Sequence, residues 1–285
     1  MRFAAYRQND TEGLAVWADG AWYGAADVPP LAPLLAQGPS ALADVHGRLR
    51  DRGRRLDAAT LAFLPPLGNP AKIICVGLNY ADHSAESGFA IPSYPAIFTR
   101  VASSLIGHGA PILRPRVSDQ LDYEGELVAV IGRGGRYIPK ASALDHVAGY
   151  SIFNDASVRD YQMKSTQWTI GKNFDGTGSF GPSFVTSDEL PPGAKGLRLQ
   201  TRLSGAVVQD ASTDDMIFDV ATLIAILSEA VTLAPGDVIV TGTPAGVGLA
   251  RKPQLWMKPG DTCEVEIEGI GILSNPIENE TVPAS

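Results

Sequence analysis

Short apolar runs dominate the chain and predict many strands with few helices. Strand-like runs occur at residues 72–77, 96–99, 127–131, 149–153, 197–203, 238–241 and 263–267. A long helix is indicated by an apolar stripe at helical spacing, formed by Val220, Leu223, Ile224 and Leu227. Residues 79–87 predict a shorter helix capped by Asn79. Because strands and helices do not alternate strictly, the pattern predicts an α+β, mainly β fold rather than a doubly wound sheet.

The first 65 residues have a pattern of their own. Residues 13–28 predict a hairpin that turns at Asp19-Gly20, and residues 29–37 and 41–50 predict two helices, with Ser40 as the cap of the second. A proline-rich connector follows at residues 64–70. We therefore expect a small N-terminal α/β domain over residues 1–65 and a larger main domain over residues 70–285.

Composition and charge restrict the class of protein. No stretch approaches the ~20 apolar residues of a membrane span, and the first ten residues contain no apolar signal core, so a cytoplasmic protein is expected. The formal net charge of −8 argues against a nucleic-acid partner, because such binders carry a basic stripe. Cys75 and Cys263 stand in strand-like runs and are expected to be buried, and without a CxxC pair a structural zinc site is not indicated.

The segment 122–131 carries the most informative carboxylates. On a strand, Glu124 and Glu126 would point to the same face, and the apolar run that follows predicts a buried strand. Two buried like charges repel and lose hydration, and a divalent cation would offset both costs. An exposed strand end or an ion pair with arginine would also explain the pattern. In residues 263–268, by contrast, glutamates alternate with apolar residues, as expected of a half-exposed strand without a site.

Asp155 ends another strand-like run, residues 150–155. An isolated aspartate at a strand end is more often a turn residue than a ligand, so its position alone does not assign it to a metal. If it joined the two glutamates, the set of oxygen ligands would favour Mg²⁺ or Mn²⁺, with Ca²⁺ as a further option, over zinc.

Six stretches in a fixed order point to a known family. They are KIICVGLNY with DH at residues 72–83, DYEGEL at 122–127, FNDASVRDYQ at 153–162, GKNFD at 171–175, MIF at 216–218 and TGTPAGVG at 241–248. With them the chain resembles the fumarylacetoacetate hydrolase family, in particular its bacterial acylpyruvate-hydrolase-like branch. The resemblance implies a mixed β-roll or sandwich catalytic fold, a homodimer, and Mg²⁺ or Mn²⁺ held by Glu124, Glu126 and Asp155.

The other candidate residues combine spacing with this resemblance. His83 and Glu86 lie three apart on the predicted helix and could form a general base with its orienting carboxylate, although a polar surface helix has the same pattern. Lys172 follows an apolar stretch and could bind a substrate carboxylate or oxo group, or extend to the surface. Similarity to the family places Gln162 and Thr243 in contact with substrate.

Arg100 departs from the resemblance, because similar enzymes commonly carry lysine there. Its planar fork suits a second carboxylate or a polar tail on the substrate, so we expect it to bind substrate.

The predicted function is cleavage of a carbon–carbon bond in a 2,4-dioxo acid of the acylpyruvate type, giving pyruvate and a second acid. His83 and Glu86 would activate water, and Lys172 or Arg100 would stabilise the oxyanion. Decarboxylation of a 3-oxo diacid such as oxaloacetate is the first alternative, and hydration or isomerisation of an unsaturated 2-oxo acid is the second. A non-catalytic small-molecule binder would need only the metal triad, without the His83–Glu86 pair.

Overall fold

The computed structural model describes residues 1–86, 88 and 90–281. The strands are Arg2–Gln8 (β1), Thr11–Ala18 (β2), Ala21–Ala25 (β3), Arg54–Leu56 (β4), Ala62–Leu64 (β5), Ile73–Gly77 (β6), Ala96–Thr99 (β7), Leu105–Ile106 (β8), Ile112–Arg114 (β9), Leu121–Asp122 (β10), Gly125–Ile131 (β11), Val147–Asp155 (β12), Ser157–Val158 (β13), Gly178–Thr186 (β14), Arg198–Leu203 (β15), Ala206–Ser212 (β16), Val238–Val240 (β17), Thr262–Ile267 (β18) and Gly271–Asn279 (β19). The helices are Leu31–Gln37 (α1), Pro39–Arg52 (α2), Ala81–Glu86 (α3), Arg159–Gln162 (α4), Thr169–Lys172 (α5) and Val220–Ala230 (α6).

Two large mixed sheets organise the fold and confirm the mainly β prediction. The larger sheet has the strand order β4-β3-β2-β1-β14-β12-β11-β17-β6-β7, with β5 added on β1 and β8 on β14. The smaller has the order β16-β15-β18-β19-β9, and β10 pairs with β13 separately. Leu127 and Ile152 of the larger sheet pack in one core with Leu199 and Val265 of the smaller one. The two large sheets therefore pack against each other as a sandwich.

Strand β11 is buried on both faces, which explains its continuous apolar run. Val128 and Val130 face a second core that includes Leu34 and Leu49 of the N-terminal helices, on the side opposite Leu127. Covering both faces of a strand removes the need for alternating polar residues. A carboxylate placed at the end of this strand is consequently held away from water.

The N-terminal segment joins the same sheet. Strand β1 pairs antiparallel with β14 of the later chain, so the strands before and after the proline-rich connector share one sheet. The hairpin of β2 and β3 turns at Asp19-Gly20 as predicted, with both residues at positive φ. The domain boundary at residues 65–70 stays a prediction.

Two predicted helix caps are wrong. Helix α2 begins at Pro39, with Gly38 rather than Ser40 at its N-cap, because proline at the first position needs no donor there. Asn79 lies outside α3, and its side chain instead contacts the backbone of Phe218 and Thr241. The end of that predicted helix at residue 87, like the end of the catalytic domain at residues 282–285, falls outside the described residues. Across the part of the chain described, helices are too short or too polar to cross a membrane.

Candidate metal centre and active-site cavity

Neighbouring strands bring three carboxylates together. Asp155 ends β12, which pairs antiparallel with β11, and its backbone N–H donates to the carbonyl oxygen of Glu124 at 2.9 Å. One carboxylate oxygen from each of Glu124, Glu126 and Asp155 lies within 4.8 Å of the others. All three residues are buried, at 4%, 1% and 0% exposure. Glu124 lies just before β11 rather than within it, since that strand starts at Gly125.

Two cations surround Glu124. Its Oε2 lies 2.5 Å from Lys172 Nζ, and its Oε1 lies 2.7 Å from Arg159 Nη2. Burial acts to raise the pKa of Glu124, but Lys172 and Arg159 outweigh it and lower that pKa to about 2. Lys172 also lies 2.7 Å from Asp155 Oδ2. Burial alone would lower the pKa of Lys172, yet Asp155 and Glu124 outweigh burial and raise it, so the amine is charged.

Glu126 experiences the opposite balance. Burial, together with the charges of Asp155 and Glu124, raises the pKa of Glu126 well above its usual range. Its Oε2 accepts a 2.5 Å hydrogen bond from the backbone N–H of Gly242, and among the described residues no cation forms an ion pair with it. This crowded, buried set of oxygen atoms fits a hard divalent cation such as Mg²⁺ or Mn²⁺ and lacks the nitrogen or sulfur donors typical of zinc sites.

Helix α3 places a histidine and a carboxylate together, as predicted. His83 Nδ1 lies 2.9 Å from Glu86 Oε1, and His83 is 7% exposed. The Glu86 oxygens accept from the backbone N–H of Gly246 at 2.9 and 3.0 Å. These bonds anchor the helix to the glycine-rich loop formed by residues 241–248. A carboxylate beside Nδ1 favours a proton there and leaves Nε2 as the basic atom.

A cavity of about 110 Å³ connects these groups. Its polar wall is formed by His83, Glu124, Glu126, Arg159, Gln162, Lys172 and Thr243. Its apolar wall includes Val76, Phe98, Met163, Trp168, Val247 and Leu249. Two of the three metal-capable carboxylates, His83 and three cationic or amide donors therefore line one small, enclosed space, which suits a small anionic molecule. Asp155 and Glu86 contact these lining residues without lining the cavity themselves.

Gln162 and Thr243, both predicted to contact substrate, lie in the cavity wall. Gln162 ends α4, where its Oε1 accepts from Arg159 Nη1 at 2.9 Å. The hydroxyl of Thr243 donates to the carbonyl oxygen of Gly125 at 3.0 Å and accepts from Gln209 Nε2 at 2.8 Å. Their substrate contacts stay predictions, but the structure places both side chains where such contacts are possible.

Arg100 was predicted to bind substrate, but it does not line the cavity. It is 3% exposed and lies behind Asp155, to whose Oδ1 its Nη1 donates. The rest of its guanidinium donates to Thr177, Ser104 and the carbonyl oxygen of Ala156. The expected contact between Arg100 and a substrate carboxylate is therefore not supported, since the fork is used to hold a candidate metal ligand.

Sequence reasoning missed two buried residues of the site. Arg159 stands three residues before Gln162 on α4, so helical spacing could have placed both side chains on one face. Asp122 is the first residue of the DYEGEL motif, and the motif alone assigns it no role. It is fully buried, lies 2.8 Å from Arg159 Nε, and accepts from the backbone N–H groups of Gly248 and Leu249 at 2.7 and 2.9 Å. It thus fixes both Arg159 and the end of the glycine-rich loop.

Fold and site together define a mainly β protein whose buried carboxylates could hold a divalent metal beside a histidine-containing cavity. The family model for the fumarylacetoacetate (FAA) hydrolase C-terminal domain matches residues 72–278. The chain belongs to the fumarylacetoacetate hydrolase family, as the motifs predicted.

Relatives within this family have different names. The mitochondrial oxaloacetate tautomerase fahd2 of Xenopus laevis is 42% identical over 85% of this chain and 76% of its own length. A solved fumarylacetoacetate hydrolase from Exiguobacterium antarcticum is 37% identical, with a TM-score of 0.86 over 98% of this chain and 100% of that one. A 5-carboxymethyl-2-hydroxymuconate delta-isomerase from Mycobacterium smegmatis is 32% identical, with a TM-score of 0.78 over 99% and 100% of the two chains. The family is thus shared by proteins named for different reactions.

Proposed function

We propose that this protein is a metal-dependent enzyme that interconverts the keto and enol forms of a small 2-oxo diacid such as oxaloacetate. The observation that carries the proposal is that Glu124, Glu126 and His83 line one cavity of about 110 Å³. Asp155 lies beside the two glutamates, and Glu86 lies beside His83. The 42% identity to a protein named oxaloacetate tautomerase supports the choice of reaction. The proposed reaction differs from the hydrolysis that the motifs favoured, and it is closest to the isomerisation alternative.

Glu124, Glu126 and Asp155 would hold the divalent ion. When bound, such an ion supplies Lewis-acid polarisation of a carbonyl group, which acidifies the neighbouring C–H bond. Lys172 is charged and lies among the same carboxylates, so it can stabilise negative charge that develops on the substrate oxygen. Arg159 holds Glu124 and, through Gln162, fixes one side of the substrate cavity.

His83 performs the proton transfer. In the keto-to-enol direction its Nε2 removes a proton from C3, and the electron pair moves toward the oxo oxygen. The protonated His83 then gives that proton to the oxygen, which yields the enol and restores the neutral imidazole. Glu86 stabilises the positive imidazole that results and keeps the ring oriented through its contact with Nδ1. The reverse direction returns the proton to C3. No bond between carbon atoms breaks.

Hydrolysis of an acylpyruvate is the second candidate, and the same His83–Glu86 pair favours it. A histidine with Nδ1 against a carboxylate is also suited to deprotonate water, and the similar protein from Exiguobacterium antarcticum is named a hydrolase. Water attack followed by C–C cleavage would release pyruvate, whereas tautomerisation would not. Pyruvate from oxaloacetate would instead indicate the decarboxylase alternative.

The test compares three reactions of one preparation. Loss of enol-oxaloacetate is followed by ultraviolet absorbance, and pyruvate release is measured from oxaloacetate and from an acylpyruvate, with Mg²⁺ or with EDTA. We expect Mg²⁺-dependent tautomerisation well above the uncatalysed rate and little pyruvate from either substrate. Faster Mg²⁺-dependent pyruvate release than tautomerisation would replace the proposal with hydrolysis or decarboxylation, according to the substrate that gives it.

The remaining sequence predictions accompany this proposal. We propose a homodimer that binds a small 2-oxo acid and has neither a nucleic-acid nor a membrane partner. A cytoplasmic location also stays a prediction, since the relatives named oxaloacetate tautomerase are described as mitochondrial.

A further inference from the structure

Buried Gln209 controls the hydrogen-bonding direction of Thr243. Gln209 is 2% exposed on β16, and its Oε1 accepts from the backbone N–H of Gly125 at 3.0 Å. Its Nε2 donates to Thr243 Oγ1 and to the carbonyl oxygen of Pro244, both at 2.8 Å. Because the Gly125 N–H can only donate and the Pro244 carbonyl can only accept, the orientation of the amide is fixed.

The hydrogen of the Thr243 hydroxyl is therefore already used. A threonine hydroxyl has one hydrogen and two lone pairs. One lone pair receives Gln209 Nε2, and the hydrogen points to the carbonyl oxygen of Gly125 at 3.0 Å. What remains for a molecule in the cavity is one lone pair. Thr243 can accept a hydrogen bond from a ligand there but cannot donate one without breaking this network.

The side chain of Gln162, which also lines the cavity, offers a donor instead of an acceptor. Gln162 Oε1 is occupied by Arg159 Nη1 at 2.9 Å, and among the described residues no acceptor contacts its Nε2 group. Gln162 thus offers a donor, as do the charged groups of Lys172 and Arg159. Donors suit carboxylate and oxo oxygens. The acceptor at Thr243 suits a ligand O–H, and a carboxylate placed there would face a lone pair.

We propose that Gln209 makes Thr243 a specificity-determining acceptor, so that the site selects anions carrying a hydroxyl group over equivalent anions without one. This inference rests on the proposed function in one respect: the hydroxyl of the natural ligand would be that of the enol form. It gives the cavity a means of distinguishing the enol from the keto form, beyond the general preference for small 2-oxo acids.

The test uses tartronate and malonate, two dicarboxylates that differ by one hydroxyl group. Their dissociation constants are measured by calorimetry with Mg²⁺ present, for the wild type, Thr243→Val and Thr243→Ser. We expect Thr243→Val to reduce the preference for tartronate over malonate by roughly fivefold, the usual size of one neutral hydrogen bond, and Thr243→Ser to retain it. Gln209→Met should also reduce the preference, because it frees the Thr243 hydroxyl to rotate.

Equal weakening of both ligands in Thr243→Val would show a merely structural role and overturn the inference. Selective loss of malonate binding would show that Thr243 donates to a carboxylate, with the same consequence. An unchanged preference in a folded Gln209→Met variant would overturn the role of Gln209. Neither ligand is a substrate, so a preserved ligand preference in a protein without tautomerase activity would refute only the proposed function.

Discussion

Two strands of this protein carry glutamates two residues apart, and they differ in what surrounds them. Glu124 immediately precedes β11 and Glu126 is the second residue of that strand, whose residues are all buried. Glu264 and Glu266 lie on β18, where buried and partly exposed residues alternate. The β18 pair flanks Arg202 at 3.1 and 2.6 Å, with side-chain exposures of 31% and 44%. The same residue types at the same spacing are thus placed in two different environments.

The difference shows that burial, rather than spacing, makes a carboxylate pair a site. Partly exposed charges are screened by water, and one arginine satisfies both at little net gain or cost. Around Glu126, three carboxylates share a dry space, and the nearby cations bind Glu124 and Asp155 instead. This uncompensated charge is what a divalent ion at the triad would offset.

The largest expected effect comes from removing that charge. Glu126→Gln should abolish Mg²⁺-dependent turnover, with a loss of at least ~10³-fold, because an essential Lewis acid is no longer held. The matched variant Glu266→Gln should retain turnover within about twofold, as expected for a surface pair. Steady-state kinetics with circular dichroism as a folding control measure both. A folded Glu126→Gln enzyme with near-normal Mg²⁺-dependent activity would show that the buried glutamates at β11 are no more important for metal binding than those on β18.

His83→Ala tests whether His83 is the general base that acts beside the buried carboxylates. Loss of a positioned general base should slow turnover by ~10²–10⁴-fold, and Glu86→Gln should act in the same direction more weakly because it leaves the ring in place. His46 of α2 lies outside the cavity, so His46→Ala is the control. If His83→Ala turned over at the control's rate under saturating Mg²⁺, the proton transfer would need another residue.

Arg100→Lys should weaken the metal site by a smaller factor. The arginine holds Asp155 from behind, and loss of such a supporting contact typically costs about 10–100-fold in metal affinity. At saturating Mg²⁺ the Michaelis constant should stay within about twofold, since Arg100 does not line the cavity. Arg202→Lys on β15, which removes the arginine that contacts the β18 glutamates, serves as the control. A raised Michaelis constant with unchanged Mg²⁺ affinity would restore the substrate-binding role predicted for Arg100.

The smallest effect is on stability. Burial raises the pKa of Glu126 above its unfolded value, so the metal-free folded state holds a proton that the unfolded chain releases. The stability from this group is complete below the unfolded pKa, about 4.3, and is lost as pH rises through the folded pKa. The free energy of unfolding, measured with urea in EDTA, should therefore fall as pH rises. The fall should be about 1.4 kcal/mol for each unit by which the folded pKa of Glu126 exceeds its unfolded pKa.

Two comparisons check that this pH dependence belongs to Glu126. The Glu126→Gln protein should have a flatter dependence of unfolding free energy on pH in EDTA, whereas Glu266→Gln should follow the wild type. Mg²⁺ should bind more tightly as pH rises, because the ion displaces a proton from Glu126. Identical pH profiles for all three proteins in EDTA would contradict the raised pKa.

Local patterns predicted the strands and part of the site, but contacts across the sheets could not be read from them. The apolar run after Glu126 predicted a buried strand because burial on both faces leaves a continuous signature. His83 and Glu86 were found because helical spacing is local. The sequence indicated that the guanidinium of Arg100 would bind a carboxylate. It did not show that this carboxylate is Asp155, because the contact joins segments that are distant in the sequence.

The family resemblance, and not the local sequence pattern, assigned Asp155 to the metal site. As a single aspartate at a strand end, it had a more common interpretation as a turn residue, and only the family motif joined it to the glutamates. The antiparallel pairing of β11 and β12 gives the physical reason, because it sets the end of one strand beside the start of the other. Asp122 was missed because a buried ion pair leaves no periodic signal, whereas the helical spacing between Arg159 and Gln162 was a local signal that was not used.

The central claim is that Glu124, Glu126 and Asp155 form a divalent metal site. The most direct test is to titrate Mn²⁺ into metal-free protein and to measure the concentration of free Mn²⁺ by electron paramagnetic resonance. We predict one bound Mn²⁺ per chain, displaced by Mg²⁺, absent in Glu126→Gln and retained in Glu266→Gln. Unchanged Mn²⁺ binding in a folded Glu126→Gln protein, or no saturable binding in the wild type, would contradict the account.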